Sequence, residues 1–242
     1  VEKFMHDQNR IIIALDMDDQ KKVFSFIDKL NPDECRLKIG KELFTSCGPK
    51  IVKKLQKKGF DVFLDLKFHD IPNTVYKAVK SACDLKVWML TIHSLGGSTM
   101  MRAARSAVEE SEHKPILVAV TVLTSQTSED LEEQGVQRSM GEQVLRLASL
   151  AQQNGMDGVV CSAAEASSIR RLLSDSFVLV TPGIRPAGDD AQDQKRIVTP
   201  KEAILSGSNY LVIGRPITQS PNPTKKIHQI QSEISGIGIG LC

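Results

Sequence analysis

The sequence predicts an α/β protein, a closed (β/α)8 TIM barrel formed by a single domain. Three observations lead there. Eight short β-branched, apolar runs recur along the chain, segments with apolar residues at helical spacing separate them, and the alternation continues evenly through the 242 residues without a linker or composition break. Strands alternating with helices require right-handed crossovers and therefore a parallel sheet. Runs that are apolar on both faces suit strands covered on both sides, and eight such units fit a closed barrel, for which ~250 residues is typical. An open doubly wound sheet carries the same local pattern, but the even continuation of the units favours the barrel.

The predicted strands are RIIIALDM (10–17), CRLKIGK (35–41), DVFLDLKF (61–68), VWMLTIHS (87–94), PILVAVTVLT (115–124), DGVVCS (157–162), FVLVTPGI (177–184) and YLVIGRP (210–216). Helical spacing follows in Val23, Phe26, Ile27 and Leu30, then in Ile51, Val52 and Leu55, and in Val75, Val79 and Ala82. It returns in Val144, Leu147, Ala148 and Ala151, and in Ile169, Leu172 and Leu173. The basic run KKLQKKG (53–59) has the spacing of a solvated face of the second helix, and Gly96-Gly97 reads as a tight turn opening a helix. Residues 1–9 and the Gly-rich tail 236–242 are expected to be peripheral. One connection, about 184–198, lacks an obvious element, and loops of that length are often lids or binding loops.

Composition narrows the partners. The formal charge is +2, from 31 basic and 29 acidic residues, which gives no broad electrostatic footprint for nucleic acid. No window approaches the uncharged apolar length of a membrane span, and the charged start VEKFMHDQNR lacks a signal-peptide core. The five cysteines, Cys35, Cys47, Cys83, Cys161 and Cys242, form no C-x-x-C pair, so neither disulfides nor a zinc site is expected and a reducing cytoplasm fits.

In a barrel of this kind the site forms at the C-terminal strand ends and the loops that follow. That rule gathers Asp16, Lys38, Asp65, Lys67, Asp70, His93, Thr124, Gly183, Arg185, Gly214 and Arg215 at one rim. Within DVFLDLKFHDIP (61–72), strand period two puts Phe63, Asp65 and Lys67 on one face and Leu64 and Leu66 on the other. Asp65 and Lys67 are thus expected to enter the barrel mouth, with Lys38 at a similar height, since an isolated buried charge would neutralise unless partnered. A structural ion-pair network closing the barrel top is the plain alternative. Concentrated charge in one small cavity is costly, which favours a functional reason for keeping it.

A second group is suited to phosphate. VIGRPIT (212–218) places Gly214 and Arg215 after the eighth strand, where barrels frequently bind phosphate through backbone N–H groups, and TPGIRP (181–186) adds Arg185 from the neighbouring strand. Arginine supplies a planar fork of donors for such an anion. His93 reads most simply as a structural histidine, His69 as pointing away, and Trp88 as core.

The stretch DLKFHDIPNTV (65–75) resembles the orotidine 5′-phosphate decarboxylase family, the carboxy-lyases that complete de novo UMP synthesis, in their bacterial single-domain form. The similarity extends through ALD (14–16), LKIG (37–40), LTS (123–125), TPGIR (181–185), Gln194 and VIGRPIT (212–218). The resemblance implies a homodimeric (β/α)8 barrel that converts orotidine 5′-monophosphate to UMP and CO2 without metal or organic cofactor. It further implies that Lys38, Asp65 and Lys67 form a charged catalytic network with Asp70, the last reaching into the partner subunit's site with Thr74 beside it toward the ribose. Asp16 and Lys38 would hold ribose hydroxyls, Thr124 the pyrimidine, and Arg185, Gln194, Gly214 and Arg215 the phosphate. Two other readings stand beside it. Sugar-phosphate decarboxylases and aldolases carry a related D-x-K-x-x-D and use Mg2+, but DIPNTV after the last acidic residue favours the nucleotide enzyme. A catalytically silent nucleotide-binding barrel would have no need of Lys67 between two carboxylates.

Overall fold

The structure, a computed structural model, describes residues 9–186, 198–235 and 237. Its order is β1 (Ile11–Ala14), α1 (Gln20–Ile27), β2 (Arg36–Ile39), α2 (Lys41–Cys47), α3 (Lys50–Gln56), β3 (Val62–Phe68), α4 (Pro72–Asp84), β4 (Met89–His93) and α5 (Gly97–Glu109). There follow β5 (Ile116–Val120), α6 (Ser128–Glu133), α7 (Met140–Gln153), β6 (Gly158–Val160), α8 (Ala163–Leu172), β7 (Val178–Pro182), α9 (Pro200–Leu205), β8 (Tyr210–Ile213), α10 (Arg215–Thr218) and α11 (Pro223–Ile234). The strands pair in sequence order, all parallel, and β8 returns to β1 to close the barrel.

Each predicted strand contains an observed one, but several end earlier than the apolar runs suggested. β1 stops at Ala14, β5 at Val120, β7 at Pro182 and β8 at Ile213, so Asp16, Thr124, Gly183, Arg185 and Gly214 lie in the turns beyond and Arg215 opens the helix α10. Hydrophobicity continues past the last ladder bond because these turns still pack against the barrel. The basic run 53–59 falls largely on α3, which follows a separate short helix α2. Several helix starts are written in the sequence: Asp19 accepts the Lys21 amide at 2.8 Å, and Ser139–Glu142, Ser162–Glu165 and Thr199–Glu202 form reciprocal capping boxes. Pro72 occupies the first turn of α4, where its missing N–H costs nothing.

Burial divides the apolar residues into two layers. Alternate strand residues such as Leu37, Leu64, Leu90 and Leu117 face outward onto helix residues such as Val52, Val79 and Ala104. The others, including Ile12, Phe63, Met89, Val118, Val180 and Tyr210, fill the barrel interior. Gly158 is needed for this closure, since a Cβ there would stand 2.1 Å from the Val178 carbonyl oxygen. Trp88 departs from expectation: it precedes β4 and is only half-buried. The Arg36 guanidinium lies over its ring at 4.2 Å, and its ring meets Tyr210 edge-on at 5.1 Å. Arg36 also donates to Asp61 at 3.2 Å and to the Asn9 carbonyl, so the barrel floor is closed by a cation on an aromatic face.

Cys35, Cys47, Cys83 and Cys161 are free thiols. Burial pushes the Cys35 thiol up to about 12, which keeps it inert. Among the described residues no helix is long and apolar enough to cross a membrane. Residues 1–8 and nearly all of 236–242 lie outside the described residues, as does most of the 184–198 connection. That connection's described ends are tied together: Ile184 bridges Val198, and the Arg185 amide donates to the Val198 carbonyl at 3.1 Å.

Candidate active site

The mouth of the barrel opens into a cavity of about 580 Å3 at the C-terminal strand ends. Asp16, Lys38, Asp65, Lys67, Thr124, Gly183, Arg185, Gly214 and Arg215 all line it, as the strand-end rule required. Its apolar wall comes from Phe63, Val120, Val122, Val160, Pro182 and Val212. A cavity with an apolar wall and a few convergent polar groups is the usual form of a small-molecule site.

The charged group is built by two adjacent strands. Lys38 on β2 pairs in register with Phe63 on β3, so its side chain reaches two residues along to Asp65, where Nζ stands 3.3 Å from Oδ2. Lys67 Nζ donates to the same oxygen at 2.7 Å. Lys38 also approaches Asp16 at 3.5 Å, although Asp16 is largely exposed. Gly40 begins α2 directly above, and a Cβ there would come within 3.4 Å of Lys38 Nζ. That is ordinary contact with the end of a flexible side chain, so the Lys38 ammonium does not by itself demand the glycine of LKIG.

Asp65 and Lys38 are buried and Lys67 half-buried. Burial is the largest influence on Asp65 and pushes its carboxyl up. The charges of Lys38 and Lys67, with hydrogen bonds from Lys67 and Thr91, outweigh it and hold the carboxyl below its ordinary value. Asp65 is therefore ionised at neutral pH, and two ammonium groups share one carboxylate oxygen.

The strand that carries these residues is not regular. Leu64 pairs with Leu90 and Phe68 with Ile92, so β3 spends four steps where β4 spends two. Lys67 sits inside this bulge in the left-handed region, φ 53°. Because the excess is two residues, the alternation of faces survives it: Leu64, Leu66 and Phe68 pack outward, while Phe63, Asp65 and Lys67 line the cavity. The expected facing was right for a strand whose geometry was not foreseen.

Two residues predicted for the rim, Asp70 and His93, do not line this cavity, nor does Thr74, which the resemblance placed beside Asp70 toward the partner's site. Asp70 is exposed, and its carboxylate accepts the Ile71 amide at 2.6 Å. Thr74 is exposed on α4. His93 is half-buried beside the site, with the His69 ring 5.5 Å away. Burial, then the charges of His69, Lys67 and Lys41, lower its imidazole to about 4, so it is neutral at pH 7. Gln194 lies outside the described residues. Among those residues no three of His, Cys, Asp and Glu are placed to hold a metal ion.

On the phosphate side, Gly214 and Arg215 open the short α10, and Arg185 is buried, donating to the Ile184 carbonyl at 3.0 Å. A Cβ at Gly214 would meet Ala14 and Asp16 at 3.6 and 3.8 Å, ordinary van der Waals distances. Packing within the chain therefore does not demand glycine there, whereas a ligand approaching the backbone would. One residue escaped the sequence reading altogether. Thr91, fully buried on β4, donates to Asp65 Oδ1 at 3.0 Å and accepts the Lys67 amide at 2.9 Å. The available signal was a hydroxyl in the otherwise apolar run MLTI, on the face that turns inward.

The Orotidine 5'-phosphate decarboxylase / HUMPS family profile matches residues 9–230. The chain is 55% identical over 231 residues to an orotidine 5′-phosphate decarboxylase of Saccharophagus degradans, covering 96% of this chain and 97% of that protein. It is 53% identical over 234 residues to one from Aliivibrio fischeri, covering 96% and 100%. Among solved structures, an orotidine 5′-phosphate decarboxylase from Lactobacillus acidophilus superposes with a TM-score of 0.85 at 40% identity, covering 94% of this chain and 100% of that one. The chain belongs to the orotidine 5′-phosphate decarboxylase / HUMPS family.

Proposed function

We infer that the chain decarboxylates orotidine 5′-monophosphate to UMP and CO2. The observation that carries this is the Lys38–Asp65–Lys67 group, two ammonium groups on one buried carboxylate, at the wall of a cavity of nucleotide size. Heterolysis of the bond between ring carbon C6 and the carboxylate leaves an electron pair on C6, where no carbonyl is placed to delocalise it as an enolate. A preorganised cation is the means left to stabilise that charge. Lys67 is assigned to this role and to proton transfer: its ammonium gives a proton to C6 and is recharged from solvent.

Asp65 faces the departing carboxylate and orients Lys67. Asp16 and Lys38 hold the ribose hydroxyls, and Thr124 contacts the pyrimidine. Arg185, Gln194, Gly214 and Arg215 take the phosphate, whose binding energy is expressed at the ring. Asp70 and Thr74, exposed and outside the chain's own cavity, act across a homodimer in the partner's site. The reaction as assigned uses no metal or organic cofactor, and the enzyme works in the cytoplasm.

The test is the ultraviolet absorbance change when the purified protein meets orotidine 5′-monophosphate in excess EDTA, with UMP identified by chromatography. Conversion is expected. A folded, dimeric sample that makes no UMP would reject the assignment, and Mg2+-dependent activity of that sample on a sugar phosphate would transfer it to enediolate chemistry.

A further inference from the structure

We propose that Thr91 is a positioning residue for the decarboxylation: it sets Lys67 from its backbone end and thereby aims the ammonium that meets the reacting carbon. This rests on the proposed function. The hydrogen bonds form a closed ring. The Lys67 amide donates to Thr91 Oγ1 at 2.9 Å, the Thr91 hydroxyl donates to Asp65 Oδ1 at 3.0 Å, and Asp65 Oδ2 accepts Lys67 Nζ at 2.7 Å. Lys67 is tied at both ends of its side chain to one carboxylate.

The need for such a tie follows from the bulge. Strand pairing passes from Leu64 to Phe68 without engaging the residues between, so the Lys67 amide needs another acceptor, and a buried amide left without one is costly. Lys67 also holds φ 53°, a conformation that costs a side-chain-bearing residue about 1–2 kcal/mol. Such strain persists only where the surroundings over-determine it.

Thr91 supplies that constraint. Its neighbours Leu90 and Ile92 face the helices, while Met89 and Thr91 face inward. An apolar residue would suit the interior layer that Met89 and Phe63 share. A hydroxyl there has no packing advantage, and both of its bonds go to the catalytic pair. Because Thr91 holds the remaining oxygen of Asp65, it also fixes the plane in which that carboxylate receives Lys38 and Lys67.

The experiment compares wild type, Thr91→Val and Thr91→Ser by single-turnover decarboxylation rate, by affinity for UMP, and by hydrogen exchange of the Lys67 amide. Losing a hydrogen bond to a charged group predicts a roughly ten- to hundredfold slower chemical step for Thr91→Val. UMP affinity should stay within about twofold, the mark of an interaction expressed in the transition state. Exchange at the Lys67 amide should accelerate, and Thr91→Ser, which keeps the hydroxyl, should restore both rate and protection.

A Thr91→Val rate within about threefold of wild type overturns the proposal, as does a Thr91→Ser enzyme as slow as Thr91→Val. If Thr91→Val does not fold, Thr91→Cys, with only a weak donor at that position, is judged by the same readings. If wild type itself makes no UMP, the functional assignment fails separately, and Lys67 amide exchange alone decides: equal exchange in wild type and variant overturns the tie.

Discussion

Lys38 and Lys67 meet on one oxygen: Asp65 Oδ2 lies 3.3 Å from the first ammonium and 2.7 Å from the second. Two like charges converge on a single carboxylate in a buried site, with the exposed Asp16 as the further anion near Lys38 among the described residues. Left to stability alone, such crowding would be disfavoured. In the proposed reaction it becomes useful, because a negative charge develops beside Lys67 where the excess cation is already in place and need not reorganise.

Replacing Lys67 should separate catalysis from folding. Lys67→Ala is expected to fold normally and to lose roughly a thousandfold or more in turnover. Lys67→Gly should be equally inactive, but its freedom at positive φ should raise its melting temperature above that of the Ala variant by about 2–4 °C. Calorimetry checks the second part. A Gly variant melting below the Ala variant would show that φ 53° at this position is not a source of strain.

Arg215→Ala should reduce catalytic efficiency on the nucleotide by roughly a hundredfold, the scale of a lost bidentate phosphate contact. Phosphate-free orotidine should be affected little. Parallel kinetics on the two substrates decide the matter, and equal losses would remove Arg215 from the phosphate site.

Asp70 stands outside its own chain's cavity, so two inactive chains should complement one another. Mixing Lys67→Ala with Asp70→Ala under verified subunit exchange is expected to restore partial activity, since hybrid dimers regain one complete site. No recovery would mean that the site is not shared.

His93 gives a pH signature. Its imidazole titrates at about 4 in the folded chain against an ordinary 6.5, chiefly because it is buried and secondarily because His69, Lys67 and Lys41 surround it. Between those values the unfolded chain binds a proton that the folded chain refuses, so this group makes stability fall as pH drops from 6.5 toward 4. Above pH 6.5 it contributes no slope. Melting temperatures of wild type and His93→Asn across that window should converge on acidification or cross, as the variant loses the penalty. Parallel curves would refute the assignment.

Local periodicity and composition govern the part of this architecture that is legible in the sequence. Eight apolar runs alternating with helical spacing require a parallel, doubly covered sheet, and the charges at the ends of those runs identify the rim. Period two was also enough to send Asp65 and Lys67 the same way as Phe63, because a two-residue bulge preserves the alternation of faces. The rest depends on contacts between segments. Where each strand stops depends on ladder bonds between strands far apart in sequence, which is why Asp16 and Thr124 proved to be turn residues and Arg215 the start of a helix. Thr91 was invisible for the same reason: a single hydroxyl in an apolar strand has no meaning until the β3–β4 register brings it against Asp65 and the Lys67 amide. Hydrophobic pattern is a property of one segment, whereas hydrogen-bond satisfaction in a buried site belongs to several segments at once.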